Sequence, residues 1–176
     1  MIASALPARR LAAALLALLM PLLVGAIAPG WNLEARLLAS HNRERASLGL
    51  PPLAWNENLA RGARLWSAHL ARTGRFEHSP DPAGAPPVGE NIWGGTPGRF
   101  EPEAMVGLWV SEKRFFRMGV FPANSTTGRV SDVSHYTQVV WQRTREVGCA
   151  LSRGPSEEIL VCRYLSAGNV MGVHPL

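Results

Sequence analysis

The sequence contains little cysteine, almost no lysine and no long basic run. Only 2 of its 176 residues are cysteines, and Lys113 is the single lysine among 18 basic residues. No basic run exceeds two residues, and a net charge of +5 is too small and too scattered to indicate nucleic-acid binding. We therefore expect no nucleic-acid partner, and we attribute the arginine excess to genome composition.

Several catalytic motifs are also missing. No H-E-x-x-H helix is present, which excludes that zinc-peptidase motif, and no G-x-S-x-G turn is present to expose a serine nucleophile. The sequence has no internal repeat. Any catalytic role must therefore rest on residues that are not arranged in these motifs.

The first 28 residues have the three parts of a secretory signal peptide. A basic patch, Arg9 and Arg10, precedes an uncharged apolar run over residues 11–28, and that run ends in Ala-Ile-Ala. The alternative is a transmembrane anchor, because about 18 apolar residues can just span a bilayer. Pro21 interrupts the run, which favours cleavage after Ala28.

Cleavage would leave residues 29–176, a length that fits one compact domain. No later segment is apolar enough to span a membrane, so we expect a secreted or periplasmic protein without a stable membrane span. In an oxidising compartment, an even number of cysteines favours a disulfide between Cys149 and Cys162 over a metal site or a reactive thiol.

Apolar residues at helical spacing predict three helices. The first begins at Leu33 and ends at Gly49, and the second extends from the N-cap Asn56 to Gly74. The third begins near Glu101, with a proline in its first turn. Its apolar stripe consists of Met105, Leu108, Trp109, Phe115 and Phe116.

Strand-like segments follow in the last third of the chain. Strands are predicted over residues 136–141, 147–151 and 159–165. A Gly-Pro turn at residues 154–155 joins the last two, and a symmetric hairpin about that turn would place Cys149 near Cys162. Helices followed by an antiparallel sheet indicate an α+β fold.

Residues 79–99 are dense in proline and glycine, and we interpret them as an ordered surface loop or lid. The segment GENIW at residues 89–93 contains two large apolar side chains, Ile92 and Trp93. Because such side chains favour burial, the loop is expected to be tethered to the domain at this point.

Glu112 lies on the apolar stripe of the third predicted helix. A carboxylate in that position must find a hydrogen-bonding or cationic partner, or be neutralised. One interpretation is a purely structural contact with an arginine or a backbone amide. The other is a functional site.

Two histidines and a second glutamate are candidates to join Glu112. His78 follows the second helix, and His135 begins a predicted strand, where alternation would place it on one face with Val139. Glu90 lies within GENIW. Each histidine taken alone is more often a structural residue than a ligand. If the four side chains meet, they could bind zinc or a similar ion, or act as acid and base without a metal.

Residues 134–144 (SHYTQVVWQRT) and 159–170 (ILVCRYLSAGNV) form two long motifs, and residues 89–92 (GENI) and 41–42 (HN) form two short ones. All four resemble signatures of the CAP superfamily, which comprises cysteine-rich secretory proteins, antigen 5 and pathogenesis-related proteins. The chain looks like a single-domain member of the bacterial type, with the CAP domain over residues 29–176.

The resemblance implies an α-β-α sandwich with a central antiparallel sheet. It also implies that the family's cleft tetrad falls on His78, Glu90, Glu112 and His135. In the family the two histidines can hold a divalent metal, often zinc, with the glutamates beside them. The cysteines that correspond to Cys149 and Cys162 commonly pair.

Three functions are compatible with this resemblance. The first is a ligand-binding module for a lipid or another small hydrophobic ligand, modulated by a metal. The second is a metal-assisted hydrolase or peptidase, with Glu90 or Glu112 as base and a metal on His78 and His135. The third is an extracellular scaffold that binds protein or envelope partners. We expect the binding module, because the tetrad lacks an evident nucleophile, and the sequence leaves catalysis undecided.

Overall fold

The computed structural model describes residues 32–176 except for residues 81–83 and 85. The predicted signal peptide, residues 1–28, lies outside the described residues, and so do residues 29–31. Within the described part of the chain, no helix combines the length and the apolar character that crossing a membrane requires.

The helices of the described residues are Leu33–Ser47 (α1), Glu57–Thr73 (α2), Pro102–Ser111 (α3) and Ser134–Val139 (α4), with short 3-10 turns at Glu112–Phe115 and Val130–Asp132. The side chain of Asn56 caps α2 by accepting hydrogen bonds from the N–H groups of Asn58 and Leu59. Gly74 ends α2 with a φ of 67°, a left-handed conformation that favours glycine. The predicted caps of the second helix are therefore confirmed.

The strands are Ala54–Trp55 (β1), Gly89–Gly95 (β2), Glu146–Arg153 (β3) and Glu158–Leu165 (β4). They form one sheet of order β1-β3-β4-β2, in which the three long strands are antiparallel and the short β1 pairs parallel with β3. Cys149 lies directly opposite Cys162 in the β3–β4 pair, and the two residues form a disulfide. The predicted disulfide is confirmed.

Alternate residues of β4 face two different helical layers. Leu160, Cys162 and Tyr164 belong to the larger core cluster, to which α1, α3 and α4 also contribute. Ile159 and Val161 belong to a second cluster, which they share with residues of α2. The sheet therefore lies between helices on both faces, and the predicted α+β sandwich is confirmed.

Residues 136–141 were predicted as a strand, and that prediction is wrong, because residues 134–139 form α4. The segment is rich in β-branched residues, but partners elsewhere in the chain satisfy both ends of the helix. The Glu112 carboxylate accepts hydrogen bonds from the first N–H groups, and the Arg45 guanidinium donates to the carbonyls of Val139 and Trp141. Tertiary contacts thus override local strand propensity.

Two further predictions need correction. Residues 79–99 are not a continuous loop, because β2 lies within them and pairs along its whole length with β4. Ile92 and Trp93 are buried, as expected of a tether. The third helix ends at Ser111, and Leu108, which was placed on its apolar stripe, is 50% exposed.

Candidate functional site

Glu90, near the start of β2, is the centre of a first cluster. Its carboxylate accepts hydrogen bonds from His78 Nδ1 (2.9 Å), the Ser79 N–H (2.9 Å), Ser79 Oγ (2.8 Å) and Arg163 Nε (3.3 Å). The Glu90 side chain is 6% exposed, whereas that of His78 is 66% exposed. His78 and Glu90, which we name the first dyad, therefore combine a buried carboxylate with an accessible imidazole.

The electrostatics of the first dyad favour its charged form. Burial acts to raise the pKa of Glu90, but hydrogen bonds from His78 and Ser79 and the charge of Arg163 outweigh it and hold that pKa below its usual value. The hydrogen bond to Glu90 raises the pKa of His78 above its usual value, although burial opposes this. The Glu90 carboxylate is thus a buried anion that protein donors stabilise, and it is a weak base.

His135 and Glu112 form a second dyad. His135 Nδ1 donates to Glu112 Oε1 (2.6 Å), while Glu112 Oε2 accepts from the backbone N–H groups of His135 (3.0 Å) and Tyr136 (3.1 Å). The imidazole also stacks on Trp109, with 6.3 Å between ring centroids and 12° between planes. The His135 ring is therefore held in one orientation, with its side chain 32% exposed.

Consecutive residues of β2 connect the two dyads. Glu90 belongs to the first dyad, and the side-chain amide of Asn91 donates to the carbonyl of His135 (3.1 Å). Because these two residues are consecutive, both dyads lie at the same end of the edge strand β2. No hydrogen bond joins His78 or Glu90 directly to Glu112 or His135 among the described residues.

Both imidazoles use Nδ1 to contact a carboxylate. In each ring Nε2 has no hydrogen-bond partner within the described part of the chain. In the neutral ring, a carboxylate on Nδ1 fixes the tautomer with its proton on that nitrogen and makes Nε2 a better electron-pair donor, so a cation would bind in place of the Nε2 proton. Two oriented donor nitrogens therefore remain for a ligand or a cation.

A buried hydrogen-bond chain supports the second dyad from behind. His41 Nδ1 donates to the Leu37 carbonyl (2.8 Å), so its Nε2 must accept from the Tyr164 hydroxyl (2.8 Å). The Tyr164 oxygen in turn accepts from Asn91 (3.3 Å), which also contacts His135. Burial lowers the pKa of His41 to about 4 and raises that of Tyr164, so both groups are neutral at pH 7.

The family model described as "Cysteine-rich secretory protein family" matches residues 38–164. The chain belongs to the cysteine-rich secretory protein, or CAP, family. Membership was expected from the four motif segments and is thereby confirmed. The match includes all four residues of the dyads as well as both cysteines.

Several plant relatives of this CAP protein are similar over most of its length. The pathogenesis-related protein PRMS of Zea mays is 35% identical over 143 residues, covering 78% of this chain and 79% of the relative. Pathogenesis-related protein 1 of Arabidopsis thaliana is 34% identical over 140 residues, with 78% and 79% covered.

A solved structure titled "Crystal structure of NaASP2 with Zn2+" aligns with a TM-score of 0.65 and 23% identity, covering 80% of this chain and 83% of that one. At this level of identity the likeness shows the fold alone.

The sequence did not reveal the residues of the CAP site that contact the dyads and support them. Arg163 lies directly opposite Glu90 in the β2–β4 pairing, but that register is not readable from either segment alone. Apart from its place in the HN motif, nothing in the sequence indicated a role for His41 in the site. Its spacing of four from the apolar Leu37 places both on the buried side of α1, which could have indicated burial.

The donor chemistry of the CAP dyads suits a divalent cation such as zinc, for which imidazole nitrogen is a common ligand. The described residues contain no group of three or more His, Cys, Asp or Glu side chains arranged to hold a metal ion. These residues therefore offer at most two imidazoles, and water or a ligand would have to complete the coordination. Such an incomplete protein shell is typical of sites that bind exogenous groups.

Removing the Glu112 carboxylate is expected to destabilise the CAP domain. In Glu112→Ala, the N–H groups of His135 and Tyr136 lose their acceptor, so the free energy of unfolding should fall by about 2 kcal/mol. Glu112→Gln keeps one carbonyl oxygen and should lose about half as much. Urea denaturation measures both, with the exposed Glu77→Ala as a control that should change stability by less than about 0.5 kcal/mol. Equal stability of Glu112→Ala and the unchanged protein would contradict this role.

Proposed function

We propose that this CAP protein acts outside the cytoplasm as a ligand-binding module whose ligand is held at the two dyads. The observation that carries the proposal is that both imidazoles are oriented through Nδ1 and present Nε2 without a partner among the described residues. An imidazole that served structure alone would more often use both nitrogens, as His41 does. The exposure of His78 leaves its ring open to an incoming group.

A divalent cation, with zinc as the first choice, is part of this proposal. His78 and His135 are the residues that would hold it, and the carboxylates of Glu90 and Glu112 would orient those ligands. Bound zinc would supply a positive charge to which an oxygen-bearing ligand could coordinate. The crystal structure of the similar protein NaASP2, titled as being with Zn2+, supports testing this metal first.

Binding accounts for the geometry better than hydrolysis does. A general base needs a carboxylate oxygen free to accept a proton, but Glu90 already accepts four hydrogen bonds and Glu112 accepts three. The lowered pKa of Glu90 weakens it further as a base. We therefore place the hydrolase hypothesis second to ligand binding.

A small hydrophobic ligand is the class that we propose for the cleft. Phe76 precedes His78 by two residues, is 61% exposed, and lies with its ring against Gly94 of β2. The accessible Phe76 ring could contact the apolar part of a ligand whose polar part binds the accessible imidazole of His78.

An extracytoplasmic location is also proposed. The family description, the signal-peptide pattern of residues 1–28 and the Cys149–Cys162 disulfide all support it.

Zinc titration calorimetry on the chain from Pro29 tests the proposal. We expect one ion per chain, with affinity reduced at least about tenfold in His78→Ala and in His135→Ala and abolished in the double variant. The exposed His174→Ala is the matched control and should bind as the unchanged protein does. Circular dichroism confirms folding of each variant.

Undiminished zinc binding by the folded double variant would overturn the assignment of these two histidines. Absence of binding to the folded unchanged protein would remove the cation from the proposal. An envelope or protein partner that binds without the imidazoles would favour the scaffold hypothesis instead.

A further inference from the structure

A groove with an open volume of about 500 Å³ lies on the outer face of α2, and none of the four dyad residues lines it. Its lining residues are Gly62, Leu65, Trp66, His69 and Arg72 of α2 and Arg163 of β4. The five helical residues recur at spacings of three, one, three and three, so they form one continuous face of the helix. From position 62 to position 72 this face is about 15 Å long.

Arg163 forms a fixed cation at one end of this groove, which we name the α2 groove. Its Nε donates to Glu90, and one of its terminal nitrogens lies over Gly62, where an added Cβ would be only 2.7 Å away. Glycine at position 62 therefore makes room for the guanidinium. The terminal nitrogens of Arg163 have no hydrogen-bond partner among the described residues, so their donors face the groove.

Trp66 and His69 form a rigid aromatic shelf in the middle of the α2 groove. The Trp66 indole N–H donates to the Glu77 carbonyl (3.0 Å), which fixes the ring. The His69 ring stacks on it, with 4.8 Å between centroids and 14° between planes. Leu65, beside the shelf, is 74% exposed, so none of the described residues covers most of its apolar side chain.

The charge of the α2 groove is one-sided. Arg72 and Arg163 line it, and no acidic residue of the described part of the chain does, although Arg163 is ion-paired through Nε with Glu90 (3.3 Å), which leaves one positive charge in excess. Glu77, the acid whose carbonyl contacts the shelf, has its carboxylate 3.4 Å from Arg75. The groove therefore attracts an anion, and the flat shelf favours a molecule with a flat apolar body.

We propose that the α2 groove is a binding site for a small aromatic carboxylate, with the carboxylate on the Arg163 guanidinium and the ring against Trp66. A guanidinium presents paired N–H donors that match the two oxygens of a carboxylate. Only one cation of the groove is fixed in place, which suits a single anionic group rather than a polyanion. No residue of the dyads lines the groove, although the Glu90 carboxylate holds Arg163 through Nε.

NMR titration with 1-naphthoate in the presence of EDTA tests this proposal. We expect saturable shifts of the Trp66 indole and His69 ring signals with a Kd of about 0.1–1 mM, in line with a ligand of this size. Arg163→Gln and Trp66→Leu should each weaken binding at least about tenfold. Arg64→Ala removes the same charge from α2 outside the groove and should leave the Kd within about twofold.

Two matched ligands separate the parts of the site. 1-Naphthamide keeps the ring without the charge, and acetate keeps the charge without the ring, so each should bind at least about tenfold more weakly than 1-naphthoate. Equal binding of naphthamide or acetate would overturn the proposed ligand class. Unchanged affinity in folded Arg163→Gln, or naphthoate shifts confined to other tryptophans, would overturn the site.

If Arg163→Gln does not fold, Trp66→Leu and the location of the shifted signals still decide the question. Binding of naphthoate by the His78→Ala/His135→Ala variant is expected, because that variant leaves the α2 groove intact. Failure of zinc binding and failure of naphthoate binding are therefore separate results.

Discussion

Replacing Arg45 by methionine is expected to lower the free energy of unfolding by about 4 kcal/mol and the Tm by about 10 °C. The Arg45 side chain is fully buried, and its guanidinium donates to the carbonyls of Pro51, Val139, Trp141 and Thr144. Methionine fills similar volume but leaves these four acceptors without their donor. Thermal and urea denaturation measure the loss.

The Arg45 effect should depend on the shape of the guanidinium as well as on its charge. Burial lowers the pKa of Arg45 to about 10, so the side chain stays charged at pH 7. Arg45→Lys keeps a charge but cannot reach four carbonyls from one ammonium group, and it should lose roughly half as much stability. The exposed Arg43→Met on the same helix is the control, with a change below about 0.5 kcal/mol. A similar loss in both methionine variants would contradict the proposed role of Arg45.

Arg45 also explains why part of the fold could not be predicted from local patterns. Helices α1 and α2 follow from caps and apolar spacing that lie within about 20 residues of sequence. Helix α4 cannot be predicted in this way, because residues distant in sequence satisfy its ends. Glu112 lies 23 residues before His135, whose N–H it accepts, and Arg45 lies 94 residues before Val139, to whose carbonyl it donates. Strand β2 is hidden for a similar reason: three glycine residues and two polar residues obscure a strand whose pairing partner is β4.

The identities of the candidate site residues could be predicted from the sequence, but their pairing in space could not. A lone carboxylate at position 112 on an apolar stripe indicated a buried partner, and the structure supplies that partner as His135. The pairing of Glu90 with His78 depends on where the chain returns after α2, and its contact with Arg163 depends on strand register. Neither is encoded by spacing within one segment.

Stability of the protein is expected to fall by about 2 kcal/mol, and its Tm by about 6 °C, between pH 7.5 and pH 5, chiefly because of His41. Burial lowers the folded-state pKa of His41 to about 4, whereas an unfolded histidine has a pKa of about 6.5. Between these values the unfolded state binds more protons, so acid favours unfolding. The contribution is fully present above pH 6.5 and is lost as the pH falls towards 4.

Other titrating groups act in different pH windows. The lowered pKa values of Glu90 and Asp132 give stability that is lost below their usual values, near pH 4. The raised pKa of His78 gives stability that is present below pH 6.5 and is lost as the pH rises through its folded value, so it has the opposite sign. The fall between pH 6.5 and pH 5 therefore isolates His41.

Two variants separate the titration of His41 from its packing. His41→Phe removes the titrating group, so its stability should change little over this window, whatever it loses at pH 7.5. Tyr164→Phe breaks the hydrogen bond to Nε2 but keeps a buried histidine, so the fall with acid should remain. Urea denaturation at pH 7.5, 6 and 5 measures all three proteins. An unchanged pH dependence in His41→Phe would show that another group causes the loss. A flattened one would show that protonation of the buried His41 causes the loss of stability in acid.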